Sequence, residues 1–509
     1  PKVVQTCLET QSLGPSLHYV WTMPSWPLLQ TLFPPIHAEP GTNGNRPVKE
    51  GEEADILETG RRLALEGQIA WHALPFTTHT EACGLEDYIR GLLFSRTLSE
   101  LFGRWPVSAK MTDVPGHTWI LPTLLARAGI RFLHLGCNSS STPPDVPPLF
   151  FWEGPDGSRV LTMYSSMGYG TPLVPPPDWT FPTWLALMQT NDNVGPQSAS
   201  AIEGMIATIR QRLPDADIRT GTLDDFYGDM SRCALSAIPV VRKDLADTWI
   251  HGAGSYPVET AMIRSARNRL TETEKLISIG SLTGRADDRT GRGERISLRE
   301  AYEQAILFGE HTWGLDVKST LGYGREYEKG RFMAQRDTEP YRRIEESWAE
   351  QRGYARAMQG VLDALAPEAL DSLAAAMPVA GRRHVVANGC GWSRQAVVDL
   401  GPADPAGTGP LVEADTGVPV ESWVESGHRM ARVKDLPPLG YMTLAVRDPD
   451  GETGTTEGPP VGGTPGTEPI RHEEGDEGQA ILSNPWLRVV VSGKRGGIVS
   501  LVDRRNGRE

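Results

Sequence analysis

From residue 1 to about 257, short apolar runs alternate with stretches of helical period. Apolar and aromatic residues crowd around Tyr19–Trp26, as in a buried strand entering a helix. Residues 34–52 are rich in Pro, Gly and Asn and read as a surface loop. Ile56, Leu57, Leu63 and Leu65 then recur near one helical face, with Gly67 as the stop. The run QIAWHALPF starts like a strand, 85–103 is an amphipathic helix, and 107–111 is a short buried strand. A further strand at IRFLHLG, a hairpin about Pro155-Asp156-Gly157, helices at 198–213 and from Asp224, and a strand at IPVV complete the pattern. Such alternation predicts a largely parallel, barrel-like α/β domain over 1–257, with helices outside the sheet.

Beyond it the period changes twice. Residues 258–370 carry long helical stretches (258–278, 297–316 and 339–365) and predict a helical bundle. Residues 371–447 alternate and turn at short spacing, as in a small β domain. The stretch 448–478, mostly Gly, Pro, Thr and Glu, reads as a linker or insertion, and 479–509 as the opening strands of a further β-sandwich.

Polar residues at strand ends are where α/β folds place their chemistry. KMTDVPGHTW puts Asp113 between a buried strand and a Pro115-Gly116 turn, with His117 next. On pattern alone Asp113 reads equally as a helix cap or a catalytic carboxylate. His79 and Glu81, just past another strand, read as substrate contacts or as a turn with a capping Glu. Asp224 and Asp225 open a helix, where the dipole favours acids. Asp247, Trp249 and His251 share a Gly-rich loop after a strand. His134 lies inside an apolar strand and reads as a core residue. His311 shares a helical face with Leu307 and Phe308, as a packed histidine or a ligand.

Composition narrows the partners. A net charge of -14 without a basic cluster argues against nucleic acid and anionic membranes. No apolar run is long enough to span a membrane and no signal peptide is visible, but both ends of the sequence look cut, so the compartment stays open with the cytoplasm favoured. Five scattered cysteines, without CxxC spacing, predict neither a disulfide framework nor a thiolate zinc site. The fourteen tryptophans suit a carbohydrate partner, since sugars stack on aromatic faces. Homo-oligomer formation stays open.

Four stretches in collinear order resemble the α-mannosidases of glycoside hydrolase family 38, and more narrowly a less characterised branch of that family. They are TDVPGHT at 112–118, GEHTWG at 309–314, NGCGWSRQAVVDL at 388–400, and NPWLRVVVSGKRGGIVSLVDRRNGRE at 484–509. The resemblance implies an α/β domain, a helical bundle and β-sandwich domains, and a zinc-assisted retaining glycosidase acting on α-mannosides or related α-linked sugars. Asp113 would be nucleophile and metal ligand, and His311 a second ligand. Asp247, with Asp225 behind it, would be the general acid. Trp249 and Trp313 would stack on sugar, and His117 would orient Asp113. Zinc accepts such donors and leaves room for substrate. A retaining mechanism needs two carboxyl groups about 5 Å apart.

The family's early His-x-Asp ligand pair has no match, because neither His18 nor His37 has an aspartate two residues on. The expectation is a chain that begins after the first strand, lacks two ligands, binds metal weakly and is inactive as a fragment, with a sandwich cut short at its other end. The competing expectations are a non-catalytic carbohydrate-binding protein on the same scaffold, or a polysaccharide lyase or deacetylase.

Overall fold

The computed structural model describes residues 1–14, 16–33, 50–189, 195–246, 256–282, 288–315, 328–376, 383–403, 409–447 and 471–509. Its first 246 residues build two sheets. Strands β1 (Trp21–Met23) and β2 (Ile69–Trp71) pair in parallel. Strands β3 (Ser108–Met111), β4 (Phe132–Gly136), β5 (Leu149–Glu153), β6 (Arg159–Ser165) and β7 (Val240–Val241) form a five-stranded sheet ordered β3-β4-β6-β5-β7. The chain leaving β2 reaches β3 through the Ala73 N–H, which donates to the Ser108 carbonyl at 2.9 Å.

The expected barrel is not formed among the described strands: the larger sheet is open and mixed. β4 runs parallel to β3 and β6, but β5 is antiparallel to β6 because the Pro155-Asp156-Gly157 turn folds them into a hairpin. A connection of five residues, 154–158, cannot make the crossover a parallel pair needs. Ala109, Met111, Leu133, Leu135, Phe150 and Trp152 fill the core beneath the sheet, all within 1% of full burial.

The helical part packs as its periodicity demands. Helix Pro257–Leu282 contributes Ile263, Ala266 and Leu270, helix Asp288–Phe308 contributes Ala301, Ala305 and Phe308, and helix Glu339–Ala376 contributes Ala355, Met358 and Leu362. These spacings of three and four place one stripe of each helix in a shared core. Helix Leu85–Phe102 fastens the bundle to the α/β layers. Its Asp87, 3% exposed at the side chain, is ion-paired with Arg267. Its Arg90 bonds Glu274 at 2.7 Å and lies 3.8 Å over the Tyr302 ring.

Two further sheets follow. One is six-stranded, ordered β8-β13-β10-β11-β12-β9, from β8 (His384–Asn388), β9 (Arg394–Pro402), β10 (Leu411–Glu413), β11 (Pro419–Glu425), β12 (His428–Leu436) and β13 (Gly440–Val446). The other is a meander of β14 (Arg471–Gly475), β15 (Gln479–Ser483), β16 (Leu487–Ser492) and β17 (Gly497–Asp503). The linker expected over 448–478 is thus too long: Arg471–Gly475 pairs residue by residue with Gln479–Ser483. The polar sequence RHEEG suits an edge strand, where charge discourages further pairing.

Candidate active site

Asp113 ends the β3 run, and the carboxylate settles between donors supplied by three separate segments. The helix that follows starts at Leu121, with Ile120 at its N-cap, so Asp113 does not cap it. Its backbone sits at φ 80°, a left-handed conformation that few residues other than glycine adopt. Asn138, just past β4, donates from Nδ2 to Oδ1 at 2.8 Å, and its backbone N–H reaches the Asp113 carbonyl at 3.0 Å. The Tyr169 hydroxyl, past the end of β6, also donates to Oδ1 and accepts from Asn138 Nδ2 at 2.9 Å. His311 Nε2 meets Oδ2 at 2.8 Å. Its Nδ1 lies 2.6 Å from Glu310 Oε1.

Burial disfavours the charge on Asp113, but the hydrogen bonds from His311, Tyr169 and Asn138 outweigh it and hold its pKa below the usual carboxylate range. Burial likewise opposes charge on His311. The carboxylates of Asp113 and Glu310 reverse the balance and raise it well above an ordinary histidine. The result is an imidazolium between two carboxylates.

The loop Thr77–Thr80 explains how residues 198 positions apart come together. The His311 N–H donates to the Thr77 carbonyl at 3.2 Å, and the His79 N–H to the Gly309 carbonyl at 2.9 Å. On its other side, Thr77 Oγ1 accepts from the Thr112 N–H at 3.0 Å, and Thr80 Oγ1 accepts from the Thr118 N–H at 3.2 Å. One short loop therefore grips both the Asp113 turn and the end of the bundle helix. Helix Asp288–Phe308 stops before His311, so the histidine sits in a turn rather than on the expected helical face.

Two glycines make the close approaches. A Cβ on Gly116 would stand 2.3 Å from the carbonyl oxygens of Leu245 and Ala246, where the turn pairs with the chain after β7. A Cβ on Gly136 would stand 2.8 Å from the Gly168 oxygen and from Tyr169 Cα. The bare backbone there lets the Tyr169 loop lie across the end of β4.

The other expected site residues fall elsewhere. His79 is 1% exposed and acts electrostatically on His117, so it is part of the wall and not an open substrate contact. Glu81 is exposed. His117 is fully buried, and its Nδ1 pairs with Thr80 Oγ1 at 3.2 Å rather than with Asp113, so it steadies the gripping loop. Trp313 packs edge-on to Phe308 with ring centroids 5.2 Å apart, and against Tyr256 at the same distance. That placement makes it bundle packing instead of a sugar platform. Asp225 completes a capping box with Thr222, whose N–H it accepts at 2.7 Å, and Asp224 accepts from the Val107 N–H at 3.1 Å; neither is a free acid. His134 is fully buried beside Ser165. Asp247, Trp249 and His251 lie outside the described residues.

Sequence reasoning missed Asn138, Tyr169 and Glu310. Asn138 and Tyr169 follow parallel strands β4 and β6 just as Asp113 follows β3. The strand-end rule that singled out Asp113 would have found both.

A catalytic zinc ion takes about three protein ligands. Asp113 and His311 are two donors, and no group of three or more His, Cys, Asp or Glu residues is placed to hold a metal among the described residues. These two donors already bond each other, through His311 Nε2 and Asp113 Oδ2. The described residues do not by themselves fit a zinc site.

Beside the cluster opens a cleft of about 1520 Å³ whose lining includes Thr77, Lys110, Thr112, Tyr169 and Trp184. Asp113 itself is not part of that lining. No helix among the described residues is long and apolar enough to cross a membrane.

Residues 284–388 match the family model described as "Domain of unknown function (DUF5054)". No curated protein matches the chain. Among solved structures, the fold is similar to an α-mannosidase from Enterococcus faecalis V583, with a TM-score of 0.55 and 13% identity over 99% of this chain. It is also similar to a protein in glycosyl hydrolase family 38 from Enterococcus faecalis, with a TM-score of 0.51 and 13% identity over 89% of this chain. The chain spans 58% and 53% of the lengths of those two proteins. At this identity the likeness establishes a fold shared with glycosidases of family 38.

Proposed function

We propose that this chain carries the nucleophile of a retaining glycoside hydrolase acting on α-linked sugars, with α-mannosides as the first class to test. The observation that supports the reading is the Asp113 carboxylate: at a strand end, in a left-handed backbone, and kept ionised by three side-chain donors. A nucleophilic carboxylate must be charged at working pH, and this surrounding supplies that.

In the proposed reaction one Asp113 oxygen attacks the anomeric carbon. The glycosidic C–O bond breaks as the leaving oxygen takes a proton, and a glycosyl ester of Asp113 remains. We assign the acid to Asp247, two positions beyond Leu245, whose backbone pairs with His117. Asp247 then takes a proton from water, the water oxygen attacks the anomeric carbon, and the bond from that carbon to the Asp113 oxygen breaks, which frees the carboxylate. No step runs through a metal ion.

Asp113→Asn keeps the shape and tolerates the left-handed backbone while removing the charge. Hydrolysis of an aryl α-mannoside by the full chain should fall at least about 1000-fold in this variant. Unchanged turnover would remove Asp113 from the chemistry.

The saturation of Asp113 favours a second reading, since both of its oxygens already accept hydrogen bonds. On that reading the cluster is structural and the cleft binds sugar without cleaving it. Tight sugar binding that persists in Asp113→Ala, with no hydrolysis by the parent protein, would select it.

A further inference from the structure

Lys110 is the residue the mechanism leaves unused. It lies on β3, in register with His134 of β4, and it lines the cleft beside Thr112 and Tyr169. Its side chain is partly buried, yet no carboxylate or other acceptor bonds its ammonium group among the described residues. A cation taken from water without a counter-charge is costly, and such lysines are uncommon outside functional sites. Burial brings its pKa down to about 7. It acts electrostatically on His72 and His134, and both imidazoles are held neutral, by burial first and by the lysine second.

His72 adds a second donor. It is 3% exposed and also lines the cleft. Its Nδ1 accepts the Leu74 N–H at 3.2 Å. In a neutral ring that leaves the proton on Nε2, as a donor with no acceptor among the described residues. Three acids of the cleft are engaged elsewhere, Asp225 in its capping box with Thr222. Asp229 is paired with Arg219 and Arg232, and Asp217 lies 3.8 Å from Arg219. His134 is fully buried and bonded to Ser165, so it backs the lysine without reaching the cleft.

We propose that Lys110 Nζ and His72 Nε2 form an anion-recognising subsite in the cleft, which takes an acidic substituent (carboxylate, sulfate or phosphate ester) on the sugar. The inference rests on the glycosidase reading of the neighbouring Asp113 and names the substrate class of that site. An ammonium group and an uncharged N–H, both unpaired, offer what a single negative group accepts. A bound anion would supply the counter-charge that no described residue gives Lys110. Neutral sugars would leave the ammonium unpaired, which disfavours them in the same place.

The test is calorimetric titration of the full chain with mannose, mannuronate, mannose 6-sulfate and mannose 6-phosphate, with inorganic sulfate as the sugar-free arm. At least one acidic sugar should bind about tenfold or more tightly than mannose and than inorganic sulfate. Lys110→Met should remove that preference, Lys110→Arg should retain it, and His72→Gln should weaken it. The three acidic sugars identify which substituent is read.

Equal or absent binding of acidic and neutral sugars would overturn the subsite, as would a preference that survives Lys110→Met. Binding by inorganic sulfate as tight as by the best acidic sugar would also overturn it. Because titration needs no turnover, the two ideas fail separately. Hydrolysis of a neutral α-mannoside without acid preference removes the subsite alone, and acid preference without any hydrolysis removes the glycosidase alone.

Discussion

Asp113 and Lys110 share one strand end and receive opposite treatment. Asp113 is given three donors and is held charged below the usual carboxylate range. Lys110 is given no counter-charge by the described residues, and burial lowers its pKa from 10.5 to about 7. Between those two values the unfolded chain holds a proton on this lysine that the folded chain has released. Stability therefore rises with pH across that window, and below about 7 the full penalty of a desolvated cation remains. Lys110→Met should be more stable than the parent at pH 6, and its advantage should shrink by pH 9. Urea midpoints at the two pH values check this, and a gap independent of pH would contradict it. Neither residue's environment was legible in KMTDVPGHTW. The segment marks a strand end and an acid, but the donors of Asp113 arrive from positions 138, 169 and 311, and the isolation of Lys110 depends on what the fold leaves out.

At the scale of elements, the gripping loop and two glycines decide the site. The sequence shows Thr77–Thr80 as a polar turn after a strand, which it is. That the turn would clasp both the Asp113 segment and Glu310–His311 is a tertiary fact without a local signal. The long helices were readable because each stripe repeats at three and four residues. The barrel expectation failed because the hairpin Leu149–Ser165 reverses one strand, and the described strands form two separate sheets, with a hydrogen bond from Ala73 to Ser108 between them. The Asp87–Arg267 pair, which ties helix Leu85–Phe102 to the bundle, is buried enough for its loss to matter. Asp87→Ala leaves the guanidinium without its partner carboxylate and should cost about 3–5 kcal/mol in chemical denaturation. A loss under about 1 kcal/mol would show that the clamp is dispensable. Gly136→Ala should push the Tyr169 loop from β4 and weaken the Tyr169 bond to Asp113. Turnover should then fall while Tyr169→Phe, in the same background, adds little further loss. Additive losses would place the glycine's role elsewhere.

For the whole molecule, the ordered motifs led to a fold that solved glycosidases of family 38 share, across nearly the full chain and at 13% identity. Chemistry does not follow from that likeness alone, because function resides in the site and not in the fold. The clearest divergence concerns zinc. Two donors that already bond each other predict weak binding, so titration of the 509-residue chain with zinc should show no tight one-to-one complex. A stoichiometric complex of nanomolar affinity would contradict the donor count. The central claim is that Asp113 is the residue that bonds to the sugar. The most direct measurement is peptide mass spectrometry after incubation with an activated fluoro-α-mannoside, which slows hydrolysis of a glycosyl ester. The account predicts one added sugar on the peptide containing Asp113, absent in Asp113→Asn. Labelling at another carboxylate, or turnover of the parent without a trapped ester, would contradict it.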